Sequence, residues 1–135
     1  MKKYVSIDIG GTAIKYGVID ESGSIVVKDK MDTEAYKGGP EILKKVTGIV
    51  AGYMDTYEPS GIAISTAGMV DVEKGEIFYS APLIPNYAGT QFKKVLEEKF
   101  RVPCEVENDV NCAGLAESVS GAGVGSSVTL CLTIG

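Results

Sequence analysis

The feature that most constrains the fold is a pair of apolar runs joined by a Gly-Gly-Thr turn, within residues 4–20. In the first run Val5, Ile7 and Ile9 alternate with polar residues, which is the period of a strand with one packed face. Two glycines between such runs indicate a tight hairpin, because glycine tolerates the positive φ that many hairpin turns require. The chain is therefore predicted to begin with an antiparallel hairpin.

The same turn has the composition of a phosphate-binding site. Glycine lacks a Cβ atom, so the N–H groups of Gly10, Gly11 and Thr12 can approach a phosphate oxygen closely. Asp8 at the strand end offers a carboxylate for hydrated Mg²⁺, and Lys15 would add positive charge. An ordinary hairpin with solvated Asp8 and Lys15 side chains explains the same residues, so both interpretations stay open at this point.

Composition narrows the class of protein. The length of 135 residues predicts one domain, and a hydrophobic content of 44% is enough to fill a core. The net charge of −5 disfavours a nucleic-acid binder, which needs clustered Lys and Arg to neutralise phosphates. We find neither an apolar run of about 18 residues nor a signal-peptide pattern. We therefore expect a cytoplasmic protein that binds neither nucleic acid nor a membrane.

The cysteines point to reduced thiols. Cys104, Cys112 and Cys131 are odd in number, widely spaced and surrounded by apolar residues. With no histidine and no Cys-x-x-Cys pair, a zinc site within this chain is not expected.

Periodicity along the rest of the chain predicts the order βββ-α-β-(β-hairpin)-α-β-α-β. Helical spacing from residue 42 to residue 53 follows Pro40, which suits a first helical turn. A second helix is predicted to be N-capped by Thr90, and a small hairpin is predicted to turn at residues 74–75. Three antiparallel strands followed by alternating helices and strands predict an α/β domain, with a mixed sheet and helices on both faces.

Polar residues follow three of the predicted strands. Asp8, residues 65–68 and the pair at residues 108–109 each stand where a strand ends. Ligands of α/β sheets bind at the carboxyl ends of strands. The sequence therefore predicts one site at this edge of the sheet.

Three stretches of the chain resemble motifs of the ROK family of sugar kinases and their repressor relatives. Residues 8–15 (DIGGTAIK) resemble the first phosphate motif, and residues 61–71 (GIAISTAGMVD) resemble a second block. Residues 106–117 (VENDVNCAGLAE) look like the catalytic block. Residues 85–87 stand where the family has a Pro-Asn-Leu sugar loop, with Tyr87 in place of the usual Leu.

This resemblance implies a fold and cofactors. The fold is an actin-like ATPase, ribonuclease-H-like domain with a mixed five-stranded sheet, and the cofactors are ATP and Mg²⁺. Residues 1–135 would form the N-terminal domain of a two-domain sugar kinase, ending inside the second phosphate motif at Gly135. A small-molecule sugar and a nucleotide are the expected ligands. A homo-oligomer is expected from apolar surface at the strand-end face.

The resemblance also implies roles for individual residues. Asp109 would be the catalytic base that accepts the proton of a sugar hydroxyl. Asn108, Gly68, Asn86 and Ala67 would bind the sugar. The residues that would contact the nucleotide phosphates and Mg²⁺ are Asp8, Gly10, Gly11, Thr12, Lys15 and Gly135. Asp109 also suits a helix N-cap, and Gly68 and Asn86 also suit plain turns.

Other functions fit these residues less well than a kinase does. A sugar-sensing transcriptional regulator of the same family would carry an added winged helix, for which the residues before Tyr4 leave no room. The pair at residues 108–109 also favours a kinase, and the block at residues 107–111 argues against an actin-like scaffold. The glycines of residues 121–125 follow a helix and precede a strand, the reverse of a dinucleotide-binding turn. Glucose, fructose, N-acetylmannosamine, allose and β-glucoside kinases share these motifs, so the sugar stays open.

Overall fold

The structure, a computed structural model, describes residues 2–79 and 84–109. A short 3₁₀ helix spans Ala35–Lys37. The strands and helices are β1 (Lys3–Ile9), β2 (Ala13–Asp20), β3 (Ile25–Asp32), α1 (Gly39–Tyr57), β4 (Gly61–Thr66), β5 (Met69–Asp71), β6 (Glu76–Tyr79), α2 (Phe92–Phe100) and β7 (Cys104–Asn108).

The predicted mixed sheet is confirmed. It has five strands in the order β3-β2-β1-β4-β7, in which β1, β2 and β3 are antiparallel and β1, β4 and β7 are parallel. The predicted small hairpin is also present, as β5 paired with β6. Because β1, β4 and β7 run in one direction as neighbours, their carboxyl ends lie side by side at one edge.

The core lies between one face of this sheet and the helices. Val5, Ile7 and Ile9 of β1 are buried there. The buried helical residues in the same cluster are Ile42, Val46, Ile49, Val50, Phe92 and Leu96. Both described helices therefore pack on this face, while the helix and strand predicted after residue 109 lie outside the described residues. In the part of the chain that the structure describes, no helix combines the length and apolarity needed to cross a bilayer.

Cys104 has the predicted character of a buried thiol. It packs in the core and forms no disulfide among the described residues. Burial raises the pKa of its thiol to about 12, which keeps the group protonated. The predictions for Cys112 and Cys131 lie outside the described residues.

Two local predictions are wrong. Thr90 does not cap α2, which begins at Phe92 after Gln91 and has no side-chain cap hydrogen bond. The Thr90 hydroxyl instead donates to the carbonyl oxygen of Tyr87 at 2.6 Å, because the preceding loop folds back over it. Strand β3 is longer than the predicted residues 25–27, since pairing with β2 continues as far as Asp32.

The segment that connects β3 to α1, residues 33–38, forms hydrogen bonds with the backbone of the glycine turn. Thr33 is fully buried; its N–H donates to the carbonyl oxygen of Thr12 at 2.9 Å and its hydroxyl to that of Gly10 at 2.7 Å. Lys45 of α1 in turn donates to the carbonyl oxygens of Asp32 and Thr33, at 2.9 and 3.1 Å. The same ammonium group binds the carboxylate of Glu34 at 2.7 Å. The turn is therefore tied to α1 through this connection.

The Glu34 carboxylate makes this connection sensitive to acid. Hydrogen bonds from Lys45, Lys37 and Tyr36 lower its pKa from 4.5 to about 2. A carboxyl group with a lower pKa in the folded state stabilises the protein above its ordinary pKa and loses that effect as the pH falls toward the folded value.

We expect Glu34→Gln to lower the urea midpoint at pH 7 and to come close to the parent protein as the pH falls to about 2, because the carboxylate of the folded parent is then about half protonated and its stabilising charge is being lost. Denaturation curves across that pH range measure the effect. Glu98→Gln, at an exposed position of α2, is the matched control and should change little at any pH. A loss at Glu34 that does not depend on pH would contradict this account.

Candidate active site

Three strand ends bring the predicted site residues to one edge of the sheet. Ile9 at the end of β1 pairs with Thr66 of β4, and Thr66 pairs with Asn108 of β7. Neighbouring strands lie about 4.8 Å apart, so the ends of β1 and β7 are separated by about 10 Å. The glycine turn, residues 67–68 and Asp109 each follow one of these three ends. The convergence predicted from the sequence is therefore present in the fold.

The glycine turn forms the β1 side of the site, and its predicted backbone conformation is wrong. Neither Gly10 nor Gly11 has a positive φ. The Gly10 N–H donates to the carbonyl oxygen of Ala13 at 3.0 Å, and a Cβ on Gly10 would lie 3.0 Å from that same oxygen. Glycine at position 10 thus allows a close approach of two backbone segments, which a Cβ would make tighter than most Cβ contacts.

Gly11 and Thr12 supply the turn's remaining donors. Among the described residues, the structure records no hydrogen-bond acceptor for either N–H group. Both residues are exposed, and a Cβ on Gly11 would meet nothing within 4 Å. Two N–H groups of exposed residues, with no recorded acceptor in the described part of the chain and with open space beside Gly11, fit an anion such as a phosphate. Of the three predicted phosphate donors, Gly10 is therefore already engaged within the turn.

A polar row crosses the sheet on the face opposite the helices. Cross-strand pairing gives its order as Lys30, Lys15, Asp8, Ser65 and Glu107. Asp8, Lys15 and Lys30 are exposed. They also line a groove of about 560 Å³ over β1, β2 and β3. Lysines directly opposite each other repel, so the pair at positions 15 and 30 favours an anion nearby.

The donor set at Asp8 fits a magnesium ion that arrives with a nucleotide. Within residues 2–79 and 84–109, no three His, Cys, Asp or Glu residues are grouped to hold a metal. Mg²⁺ commonly takes one or two protein carboxylates and fills its other positions with phosphate oxygens and water. Asp8, exposed at the end of β1 just before the turn, is suited to that role.

Asn108 connects β7 to the β4 side of the site. Its side-chain amide donates to the carbonyl oxygen of Gly68 at 2.6 Å. Gly68 has a φ of 96°, a conformation that favours glycine, so the predicted turn role is confirmed. The N–H of Ala67 lies 3.4 Å from the carbonyl oxygen of Ile9. Residues 67–68 are therefore tied to both neighbouring strands, and Asn108 holds them in place.

The loop that carries Asn86 is anchored on both sides. The N–H of Gly39 donates to the carbonyl oxygen of Pro85 at 2.8 Å. On the other side Tyr87 is buried, and its hydroxyl hydrogen-bonds that of Thr66 at the end of β4. Asn86 itself is exposed and has a φ of 55°, which Asn tolerates better than most residues. This predicted sugar ligand therefore faces solvent from a fixed backbone.

Asp109 is the half-buried residue that follows β7 and has a helical conformation. It directly follows Asn108, whose side-chain amide contacts Gly68. Its role as the catalytic base stays a prediction. Gly135 and the rest of the catalytic block lie outside the described residues.

The sequence singled out neither Thr33 nor the hydrogen bond between Thr66 and Tyr87 as structural parts of the site. Thr33 and Thr66 are polar yet fully buried, and buried polar groups need partners. The available signal was Tyr87 in place of the usual Leu, because a buried tyrosine hydroxyl requires a hydrogen-bond partner.

Comparison with known proteins assigns the family. Residues 4–135 match the ROK family, so the chain belongs to that family. It is 53% identical over its whole length to an uncharacterized protein of Clostridium perfringens, covering 46% of that protein. It is 35% identical to a β-glucoside kinase of Listeria monocytogenes over 98% of the chain, covering 44% of that kinase. The chain thus spans less than half the length of these relatives.

Solved structures confirm the actin-like fold. A ROK family glucokinase from Streptomyces griseus, in complex with glucose and AMPPNP, has a TM-score of 0.77 and 32% identity. That match covers 91% of this chain and 38% of the glucokinase. A ROK family transcriptional regulator, a homologue of Escherichia coli Mlc, also has a TM-score of 0.77, over 90% of this chain and 32% of its own. At 19% identity this second match shows the fold alone.

We expect Gly39→Ala to destabilise the protein by about 1–3 kcal/mol, the usual cost of overpacking. The new Cβ would lie 2.3 Å from the carbonyl oxygen of Asn86 and 2.8 Å from the Thr90 hydroxyl, so the loop must move. Gly48→Ala in the same helix is the matched control. Its Cβ meets nothing within 4 Å, so we expect a gain of up to about 1 kcal/mol. Urea denaturation of both variants measures the difference, and stabilisation by Gly39→Ala would refute this packing.

Proposed function

We propose that this chain is the acceptor-binding domain of a two-domain, ATP-dependent sugar kinase. It would help to transfer the γ-phosphoryl group of ATP to a hydroxyl of a hexose or a related sugar. The supporting observation is that the exposed residues Gly11 and Thr12, whose N–H groups have no recorded acceptor among the described residues, share one sheet edge with Asn108 and Asp109. Phosphoryl transfer needs a phosphate cradle and a base held at a short, constant separation, and about 10 Å leaves room for both reactants.

On the acceptor side, the role proposed for each residue depends on whether its side chain is hydrogen-bonded within the protein or exposed to solvent. Asn108 has its amide directed to Gly68 and would shape the sugar pocket together with residues 67–68. Asn86 is exposed on its anchored loop and would bond a sugar hydroxyl. Asp109 would accept the proton of the attacking hydroxyl, as a carboxylate general base does.

On the donor side, the exposed residues Gly11 and Thr12 would bind a phosphate through their N–H groups. Lys15 lies across from Asp8 and would balance part of the phosphate charge. Bound Mg²⁺ would supply charge neutralisation on the transferred group, with Asp8 as its protein carboxylate. The groove over β1, β2 and β3 leaves this side accessible.

The kinase proposal is favoured over a regulator by sequence likeness rather than by the fold. The fold is shared with a transcriptional regulator at 19% identity, so it does not separate the two functions. The more similar relatives of known activity are a β-glucoside kinase at 35% and a glucokinase at 32% identity. The pair Asn108 and Asp109 is also intact, as a kinase requires.

We expect Asp109→Asn to lower kcat by about 10²–10⁴-fold, the range for loss of a general base. The amide keeps the shape of the side chain but accepts no proton, so sugar KM should change much less. Asn108→Ala should do the opposite and raise sugar KM more than it lowers kcat, because Gly68 loses its partner. Steady-state kinetics of the full-length protein that contains this chain, over a panel of hexoses, would decide. Near-normal kcat in Asp109→Asn would mean that the proton leaves by another route.

We expect Gly11→Ala to raise the KM for ATP by about 10-fold, equivalent to about 1.4 kcal/mol of lost binding. The methyl group fits the fold itself, since nothing lies within 4 Å, but it occupies the space that a phosphate would enter. Thermal stability and sugar KM should therefore stay unchanged. Gly52→Ala in α1, whose Cβ also has open space, is the matched control. An unaltered KM for ATP would place the phosphates elsewhere.

A further inference from the structure

Tyr87 has a buried ring and a hydroxyl that hydrogen-bonds a residue outside the loop to which Tyr87 belongs. The residue is 1% exposed, and its ring packs edge-on against Phe92 with centroids 6.1 Å apart. Its hydroxyl hydrogen-bonds the hydroxyl of Thr66, which is 21 residues earlier in the chain. Burial raises the pKa of Tyr87 above its ordinary value, so the hydroxyl stays protonated throughout the physiological range.

Thr66 is the last residue of β4 and directly precedes residues 67–68 of the site. Its hydroxyl also donates to the carbonyl oxygen of Ala67 at 3.1 Å. The next carbonyl oxygen, that of Gly68, accepts the Asn108 amide at 2.6 Å. Hydrogen bonds together with the intervening backbone therefore connect Tyr87 through residues 66–68 to the end of β7.

Asn86 lies between the two anchors of its loop. On one side the carbonyl oxygen of Pro85 is held by Gly39, and on the other the Tyr87 hydroxyl is held by Thr66. The carbonyl oxygen of Tyr87 is also held, by the Thr90 hydroxyl at 2.6 Å. Among these three hydrogen bonds, only the bond to Thr66 links the loop to residues 67–68.

A purely apolar role would not need this hydroxyl. A phenylalanine ring fills the same space and keeps the contact with Phe92, and burying an additional hydroxyl has a cost unless it is hydrogen-bonded. The Tyr87 hydroxyl is therefore explained by the segment that it holds rather than by the core that surrounds it.

We propose that Tyr87 is a positioning residue of the sugar site, whose hydroxyl bond to Thr66 fixes Asn86 relative to Gly68 and Asn108. This inference rests on the proposed function, because that function assigns these residues to one sugar pocket. Tyr87 itself is buried and contacts no substrate. Its effect should therefore fall on sugar binding and leave the nucleotide side and the base unchanged.

The test is Tyr87→Phe in the full-length protein. We expect sugar KM to rise by about 5–10-fold, the effect of one lost hydrogen bond, with kcat and ATP KM within about 2-fold of the parent. Thr66→Val should raise sugar KM as well, and Thr66→Ser, which keeps the hydroxyl, should not. The double variant Thr66→Val with Tyr87→Phe should be no worse than Thr66→Val alone, because both changes remove the same bond.

Tyr53→Phe is the matched control, since Tyr53 lies in α1 away from the site and should leave all constants unchanged. Parent-like sugar KM in Tyr87→Phe overturns the proposal. So does an equal rise of the sugar and ATP constants, which would indicate general destabilisation.

Amide hydrogen exchange separates failure of this inference from failure of the proposed function. The Ala67 and Thr90 amides donate to the carbonyl oxygens of Ile9 and Tyr87 and report on the two joined segments. Tyr87→Phe should speed exchange at both amides, and parent-like exchange at Ala67 would overturn the proposed link. A parent protein that phosphorylates no sugar refutes the kinase proposal and Tyr87's role in sugar binding, while exchange still decides whether Tyr87 joins the segments.

Discussion

The parallel pairing of β1, β4 and β7 is the constraint on which the rest of the site depends. Its register aligns Ile9, Thr66 and Asn108 on the face packed by α1 and α2, and places Asp8, Ser65 and Glu107 in the adjacent row on the opposite face. A slip of one residue would exchange the two faces of a strand, moving its apolar residues out of the core and, in β1 or β7, burying a carboxylate. The apolar alternation that fills the core therefore also determines which polar residues meet at the edge of the sheet.

This register divides the site between two environments. The parts proposed for the sugar, including Thr66, Tyr87 and Asn108, belong to the helix face and are joined to core residues. The parts proposed for the nucleotide, Asp8 and Lys15, lie exposed on the opposite face beside the groove. The sugar side is consequently held by packing and internal hydrogen bonds, whereas the phosphate side keeps its donors available to a charged ligand.

Sequence patterns predicted the repeating parts of this structure and missed the contacts between distant segments. Strand alternation and helical spacing depend on near neighbours, so the meander, α1 and the β5–β6 hairpin were predicted. The bond from Thr33 to Gly10 and that from Tyr87 to Thr66 join residues 23 and 21 positions apart, which no local pattern reveals. The Thr90 cap failed for a local reason, since the hydroxyl donates to the carbonyl oxygen of Tyr87, three residues earlier, instead of capping the helix.

Helix α1 supports both halves of the site at once. Its first residue, Gly39, binds the carbonyl oxygen of Pro85 in the sugar loop. Lys45, about 9 Å further along the helix axis, binds the carbonyl oxygen of Thr33, which holds the glycine turn. Because a regular helix changes length very little, a shift of α1 would carry the turn and the loop together. Their separation is thus set by a rigid element, which suits a reaction whose rate depends on the distance between phosphate and acceptor.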